Sequence, residues 1–164
     1  MKIFLKKINF WLDPEFIAHY FSSIFGEEGL SWLDSNGSEN GEWSYLGVNP
    51  NKVIYCQGIK NSQNATNPFE KLSMIKKGFW IGWLNYEAAS WLEPNNLWHE
   101  NNMNTLWIAS YDPIIKFNLA TKELFIEGSN VKEIEHYEKI IKDGISQKYQ
   151  PNLRKNLKFN FSKV

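Results

Sequence analysis

A chain of 164 residues lies in the size range of one domain. Its 18 basic and 18 acidic side chains cancel, so it lacks the concentrated positive field that nucleic acid or an anionic membrane would need. With 43% hydrophobic residues and 8 tryptophans it can fill a core, which excludes wholesale disorder.

The single cysteine, Cys56, has no intramolecular partner, which points to a reducing compartment. Lys6 and Lys7 interrupt the N-terminal apolar run too early for a secretory signal, and no stretch reaches the ~18 apolar residues of a membrane helix. A cytoplasmic protein is therefore expected. The sequons at Asn36, Asn64 and Asn160 read as chance products of an Asn-rich sequence.

The first predicted helix starts at Asp13, with Pro14 in its first turn. Phe16, Ile17, Tyr20, Phe21 and Ile24 follow at helical spacing until Gly26. Residues 30–33 read as a short strand and 35–42 as a turn-rich connection. Two strands are expected at 43–48 and 52–57, with Asn49, Pro50 and Asn51 as the turn. Asn67 is placed to cap a second helix, with Pro68 behind it and Glu70 as capping-box partner; Phe69, Leu72 and either Ile75 or Met74 form its buried face.

Residues 78–86 alternate Phe79, Ile81 and Trp83 against Trp80, Leu84 and Tyr86. Both faces are apolar, which predicts a central strand covered on two sides, and Gly82 suggests close approach of a neighbouring backbone. A short helix is expected from Glu87 toward Pro94, then a loop to 104. Strands follow at 105–111, 114–119 and 123–127, the last two joined as a hairpin through 120–122. In the middle one Ile115, Phe117 and Leu119 should face inward and Lys116 and Asn118 water. A third helix from Asn130 carries Val131, Ile134, Tyr137, Ile141 and Ile145 as its inner stripe. The expected fold class is α+β, a largely antiparallel sheet with about three flanking helices.

Catalytic chemistry is hard to find in this pattern. His19, His99 and His136 have no metal-ligand spacing and read as surface or packing residues. Glu87 and Glu93 flank an aromatic cluster and could do acid–base work, but ordinary surface placement is the favoured reading. There is no phosphate-binding glycine loop and no nucleophile elbow. Arg154, the only arginine, lies in the tail, so the planar forks that grip anionic substrates are missing from the body of the chain. Trp80, Trp83 and Trp107 alternate inside apolar runs and are expected in the core, although eight tryptophans also suit an aromatic platform for sugars or single-stranded nucleic acid.

Three segments carry a family resemblance. Trp32-Leu33-Asp34-Ser35 is followed, after a turn-rich loop, by Trp43-Ser44-Tyr45-Leu46-Gly47 and Pro50. Gly78 to Tyr86 continues into Glu87, with Glu93-Pro94 beyond. Ala109-Ser110-Tyr111-Asp112 precedes Ile114-Ile115-Lys116-Phe117. In this order they resemble the N-terminal domain of chorismate-utilising component I enzymes, the anthranilate synthase and aminodeoxychorismate synthase family. Asp34 stands where the family usually has Glu, Asn85 where it has Gly, and Trp43 near an expected Arg-Tyr pair.

The resemblance implies half of the component I sandwich over residues 1–150, with 151–164 as the junction toward a catalytic domain absent from this chain. Chorismate and Mg²⁺ would be bound by that domain, so no catalytic residue, cofactor or metal is expected here. The implied function is a non-catalytic module of aminodeoxychorismate synthase component I, truncated or split from its catalytic half. An anthranilate synthase module with a tryptophan-binding regulatory role is the alternative, and an aromatic-lined ligand-binding module a third. Implied partners are the chorismate-binding catalytic domain, a glutamine amidotransferase subunit and L-tryptophan, with neither nucleic acid nor membrane. Carried over position by position, Leu33, Asp34, Ser35, Trp43 and Ser44 would line the tryptophan pocket. Read without the resemblance, Asp34 and Ser35 simply end a strand and begin a turn.

Overall fold

Two antiparallel sheets, one of five strands and one of three, share the chain in a computed structural model that describes residues 2–35, 41–93, 98–99 and 103–146. In chain order the elements are β1 (Phe4–Ile8), α1 (Pro14–Phe25), β2 (Ser31–Leu33), β3 (Trp43–Gly47), β4 (Lys52–Cys56), α2 (Pro68–Ser73), β5 (Phe79–Leu84), a 3₁₀ turn (Tyr86–Trp91), β6 (Leu106–Tyr111), β7 (Ile114–Asn118), β8 (Glu123–Gly128) and α3 (Val131–Ser146). The large sheet runs β1-β8-β7-β3-β2 and the small one β4-β6-β5. The fold class is the expected α+β.

The chain passes from one sheet to the other at two neighbouring corners. Residues 48–51 carry β3 into β4, and Asp112 and Pro113, joined by a cis peptide bond, carry β6 into β7. Asn51 ties the corners together: its side-chain oxygen accepts the Asp112 amide at 2.7 Å, and its own amide donates to the Ser110 carbonyl at 2.9 Å. Residues 49–51 are thus an inter-sheet corner, and β3 and β4 do not pair with each other. Asn49 takes the positive φ of 50° that the sharp turn requires and that asparagine tolerates.

Three clusters hold the layers. α1 and α3 cover one face of the large sheet, where Ile17, Phe21, Leu46, Ile115, Phe117 and Ile141 pack. Between the sheets lie Tyr45 and Ile114 from the large one and Ile81, Ala109 and Tyr111 from the small one. On the far side of the small sheet, Leu72 and Ile75 from the α2 region pack on Cys56, Leu106 and Ile108. Ile75 therefore fills the position left open between it and Met74, which is 67% exposed.

Local chemistry explains the helix starts. Asn67 Oδ1 accepts the Phe69 amide at 3.0 Å and Asn67 Nδ2 donates to Glu70 at 3.2 Å, close to the expected capping pair. Asp13 occupies the cap position of α1 without capping it; its carboxylate accepts the Trp11 indole N–H at 3.2 Å instead. The stripe of α3 is rotated from expectation. Ile134, Tyr137, Ile140, Ile141 and Gly144 are buried, while Val131 and Ile145 at its two ends are exposed.

Three expectations are corrected. β5 pairs only with β6 and is an edge strand, so its far end opens to solvent and Trp83 is 41% exposed. Asn118 is buried because its side chain accepts the amides of Ala120 and Thr121, closing the β7–β8 hairpin. The N-terminal run was not expected as a strand, yet β1 pairs with β8 along the edge of the large sheet. The expected junction at 151–164 lies outside the described residues.

Candidate functional site

β2 ends after three residues where Asp34 and Ser35 leave the ladder, and its start is pinned to the small sheet. The Tyr111 hydroxyl donates to the Gly29 carbonyl at 2.6 Å, so the Ser31 hydroxyl, 2.6 Å from the phenol oxygen, is the donor to it. Burial pushes the Tyr111 phenol up from its ordinary range, with the Ser31 hydrogen bond opposing. This pair holds β2 beside the edge of the small sheet.

A cleft of about 490 Å³ opens between them, within the range that takes small ligands. Residues 29–33 form one wall; Ile81, Gly82, Trp83 and Trp107 form the other. Gly82 is required there, because a Cβ would come within 2.1 Å of the Trp107 carbonyl oxygen. Tyr55, Trp107 and Trp83 stand in one cross-strand row on this face of the small sheet. Beyond Trp107 a second cavity of about 740 Å³ is lined by Glu28, Asn49, Tyr55, Gln57 and Asn104 among others. Trp107 is half-buried and Trp83 exposed, so these two are not the enclosed core residues that alternation suggested. Trp80 is likewise half-buried, packed on the α2-side cluster, but its indole N–H has the expected partner, the Lys76 carbonyl at 3.2 Å.

The five residues taken from the resemblance gather at the same end of β2 and β3, but the sheet plane divides them. Asp34, Ser35 and Ser44 meet through one hydroxyl: Ser44 Oγ donates to Asp34 Oδ1 at 3.0 Å and accepts the Ser35 amide at 3.0 Å. Leu33 pairs with Tyr45 in register and so shares the opposite face, where it lines the cleft at 50% exposure. Trp43 lies on that face too, its ring 5.8 Å from that of Phe125.

Lys116 was missed as a site residue. It pairs with Tyr45 and Phe125 in register, lies 5.1 Å from the Trp43 ring and 5.7 Å from the Tyr45 ring, and bonds Glu127 at 2.9 Å. Alternation placed it opposite Phe117 correctly; only the tertiary arrangement makes that face an aromatic one. His19 lies 3.9 Å from Glu15 on the outside of α1, and His136 stands edge-on to Tyr137. Among the described residues no three His, Cys, Asp or Glu side chains gather as metal ligands, and no helix is long and apolar enough to cross a membrane.

Comparison with protein-family models and with curated proteins returned no match.

Proposed function

We propose that this chain is the non-catalytic N-terminal module of an aminodeoxychorismate synthase component I, working in the cytoplasm beside a separate chorismate- and Mg²⁺-binding catalytic domain. Supporting this reading, the three resembling segments fall on β2 and β3, on β5 with its 3₁₀ turn, and on β6 and β7. These are the strands that build the inter-sheet corner and its cleft. The observation that carries it is the Ser44 bridge, which brings the Asp34-Ser35 segment and the Trp43-Ser44 segment together across two strands. Asp34 is exposed there, so its carboxylate can hold the ammonium of an amino-acid ligand such as L-tryptophan. Trp43 and Phe125 on the other face, with Leu33 at the cleft, give the catalytic domain an apolar surface to cover.

The test mixes this chain with the catalytic half of such an enzyme, chorismate, Mg²⁺ and ammonium. Co-elution of the two polypeptides and a rise in aminated product are expected. A catalytic half that neither binds the chain nor responds to it would overturn the reading. Identification of the product separates 4-amino-4-deoxychorismate from anthranilate, the alternative within the family. Adding a glutamine amidotransferase subunit and glutamine in place of ammonium tests that partner.

A second reading, an aromatic-lined binding module for neutral ligands such as oligosaccharides, is favoured by the outward row of Tyr55, Trp107 and Trp83 with Gln57 and Asn104 close by. Calorimetry with oligosaccharides and with L-tryptophan distinguishes the two.

A further inference from the structure

The small sheet has a second cavity-bearing side, away from the inter-sheet cleft. A space of about 520 Å³ lies against β4 and α2. Lys52 reaches it from β4, Lys71 from α2 and Lys76 from the segment leading into β5, and no acidic residue lines it. Lys6, Lys7, Lys116 and Lys142 pair with carboxylates, whereas Lys60, Lys77 and Lys139, like Lys52, Lys71 and Lys76 here, have no ion pair among the described residues. Three lysines from three segments line one space that has no acidic residue in its lining, which favours an anion there.

The remaining wall is apolar and aromatic. Val53, Ile54, Tyr55 and Met74 line it together with Trp80, whose indole N–H donates to the Lys76 carbonyl. Lys52 and Trp80 share one cross-strand row through Ser110, so two strand spacings, about 10 Å, separate their backbones. A ligand filling this space meets positive charge from Lys52 at one end and, at the other, an aromatic ring with Lys76 beside it. Lysine ammonium groups are point charges that donate to phosphate oxygens from many directions, where a single planar carboxylate would suit arginine better.

We propose that this cavity binds a small aromatic molecule carrying a phosphate polyanion, of the nucleotide class. Its ring lies against Trp80 and its phosphates lie among Lys52, Lys71 and Lys76. The pocket uses none of the residues of the Ser44 bridge or the cleft lining, and shares Val53 and Tyr55 with the cavity beyond Trp107.

The test titrates the full chain calorimetrically with ADP, inorganic pyrophosphate and adenosine, while following tryptophan fluorescence. ADP is expected to saturate, to perturb the fluorescence, and to bind at least about tenfold more tightly than either of its parts. The K71Q/K76Q variant, altered at two exposed and unpaired positions, should unfold like the parent and bind ADP about tenfold more weakly or worse. Lys52→Gln should weaken binding in the same direction, while Lys139→Gln on α3 should leave it unchanged. Equal binding of pyrophosphate and ADP would reduce the pocket to bare charge and overturn the proposal. So would a K71Q/K76Q variant that binds ADP like the parent, or the absence of saturable binding.

Discussion

The hydroxyl of Ser44 donates to Oδ1 of Asp34 at 3.0 Å, linking β3 to the residue at which β2 leaves the ladder. Ser44 is fully buried and Asp34 exposed, so the serine orients a carboxylate that faces water. The Ser35 amide depends on the same oxygen. One buried hydroxyl therefore sets both the end of a strand and the direction of an acidic group.

Ser44→Ala should cost about 1–2 kcal/mol, since Asp34 can turn to water while the Ser35 amide loses a part-buried partner. Urea unfolding should move to a lower midpoint with an unchanged slope. If the proposed role holds, L-tryptophan affinity of the chain with its catalytic half should fall as well. A variant with the parent's midpoint and affinity would show that the bridge is incidental.

Gly82→Ala tests the contact between the edge strand and its neighbour. An added Cβ would meet the Trp107 carbonyl oxygen at 2.1 Å and Ile108 Cα at 2.6 Å, both backbone atoms that cannot swing away. β5 must then part from β6, at a cost of about 1–3 kcal/mol. Because Trp83 and Trp107 flank the contact, their fluorescence should shift toward that of hydrated indole in the folded protein. An unshifted spectrum at parental stability would refute the close approach.

Sequence periodicity found most of these elements because each carries its own signal: Pro14 and Pro68 at helix starts, Asn67 with Glu70, alternation through Ile115 and Phe117. What it could not find depends on which strand neighbours which. The apolar run of β5 looks the same whether its second flank is a strand or open water. Its edge position follows from β6 lying between it and β4. The N-terminal strand was hidden by Lys6 and Lys7, which sit in β1 with carboxylate partners on α3 and β8. At the candidate site, Asp34, Ser35 and Ser44 were singled out through the resemblance, and the structure shows that they meet through one hydroxyl. The separation of Leu33 and Trp43 from them needed the register between β2 and β3.

Lys116 and Glu127 bond at 2.9 Å with side chains only 20% and 17% exposed. Removing one partner leaves the other half-buried and unneutralised, while removing both with apolar groups restores packing. Lys116→Ala should therefore cost about 2 kcal/mol, less than the full penalty of a completely buried pair. Lys116→Met combined with Glu127→Leu should lose less than the sum of those two single changes, as measured by a double-mutant cycle over the three variants in urea. Additive losses would mean that the pair is screened by solvent and carries no coupling.

Tyr137 is expected to set the alkaline limit of the fold. Its ring packs among Phe21 and Phe25, and its hydroxyl donates to the Val48 carbonyl at 3.1 Å. Burial, with the carboxylates of Glu133 and Asp112 adding to it, raises the phenol far above its ordinary value of 10.0. A raised folded-state pKa favours the protonated form in the native protein. The stability it contributes is thus fully present below pH 10.0 and is lost as the pH climbs beyond, because the unfolded chain ionises first. Tyr111, also raised by burial, acts in the same sense. Unfolding free energy should stay level with respect to these two groups up to about that pH and fall above it. Tyr137→Phe should lose roughly 1 kcal/mol at neutral pH with the hydrogen bond, yet show a shallower alkaline decline. An equally steep decline in the variant would assign the alkaline limit to other groups.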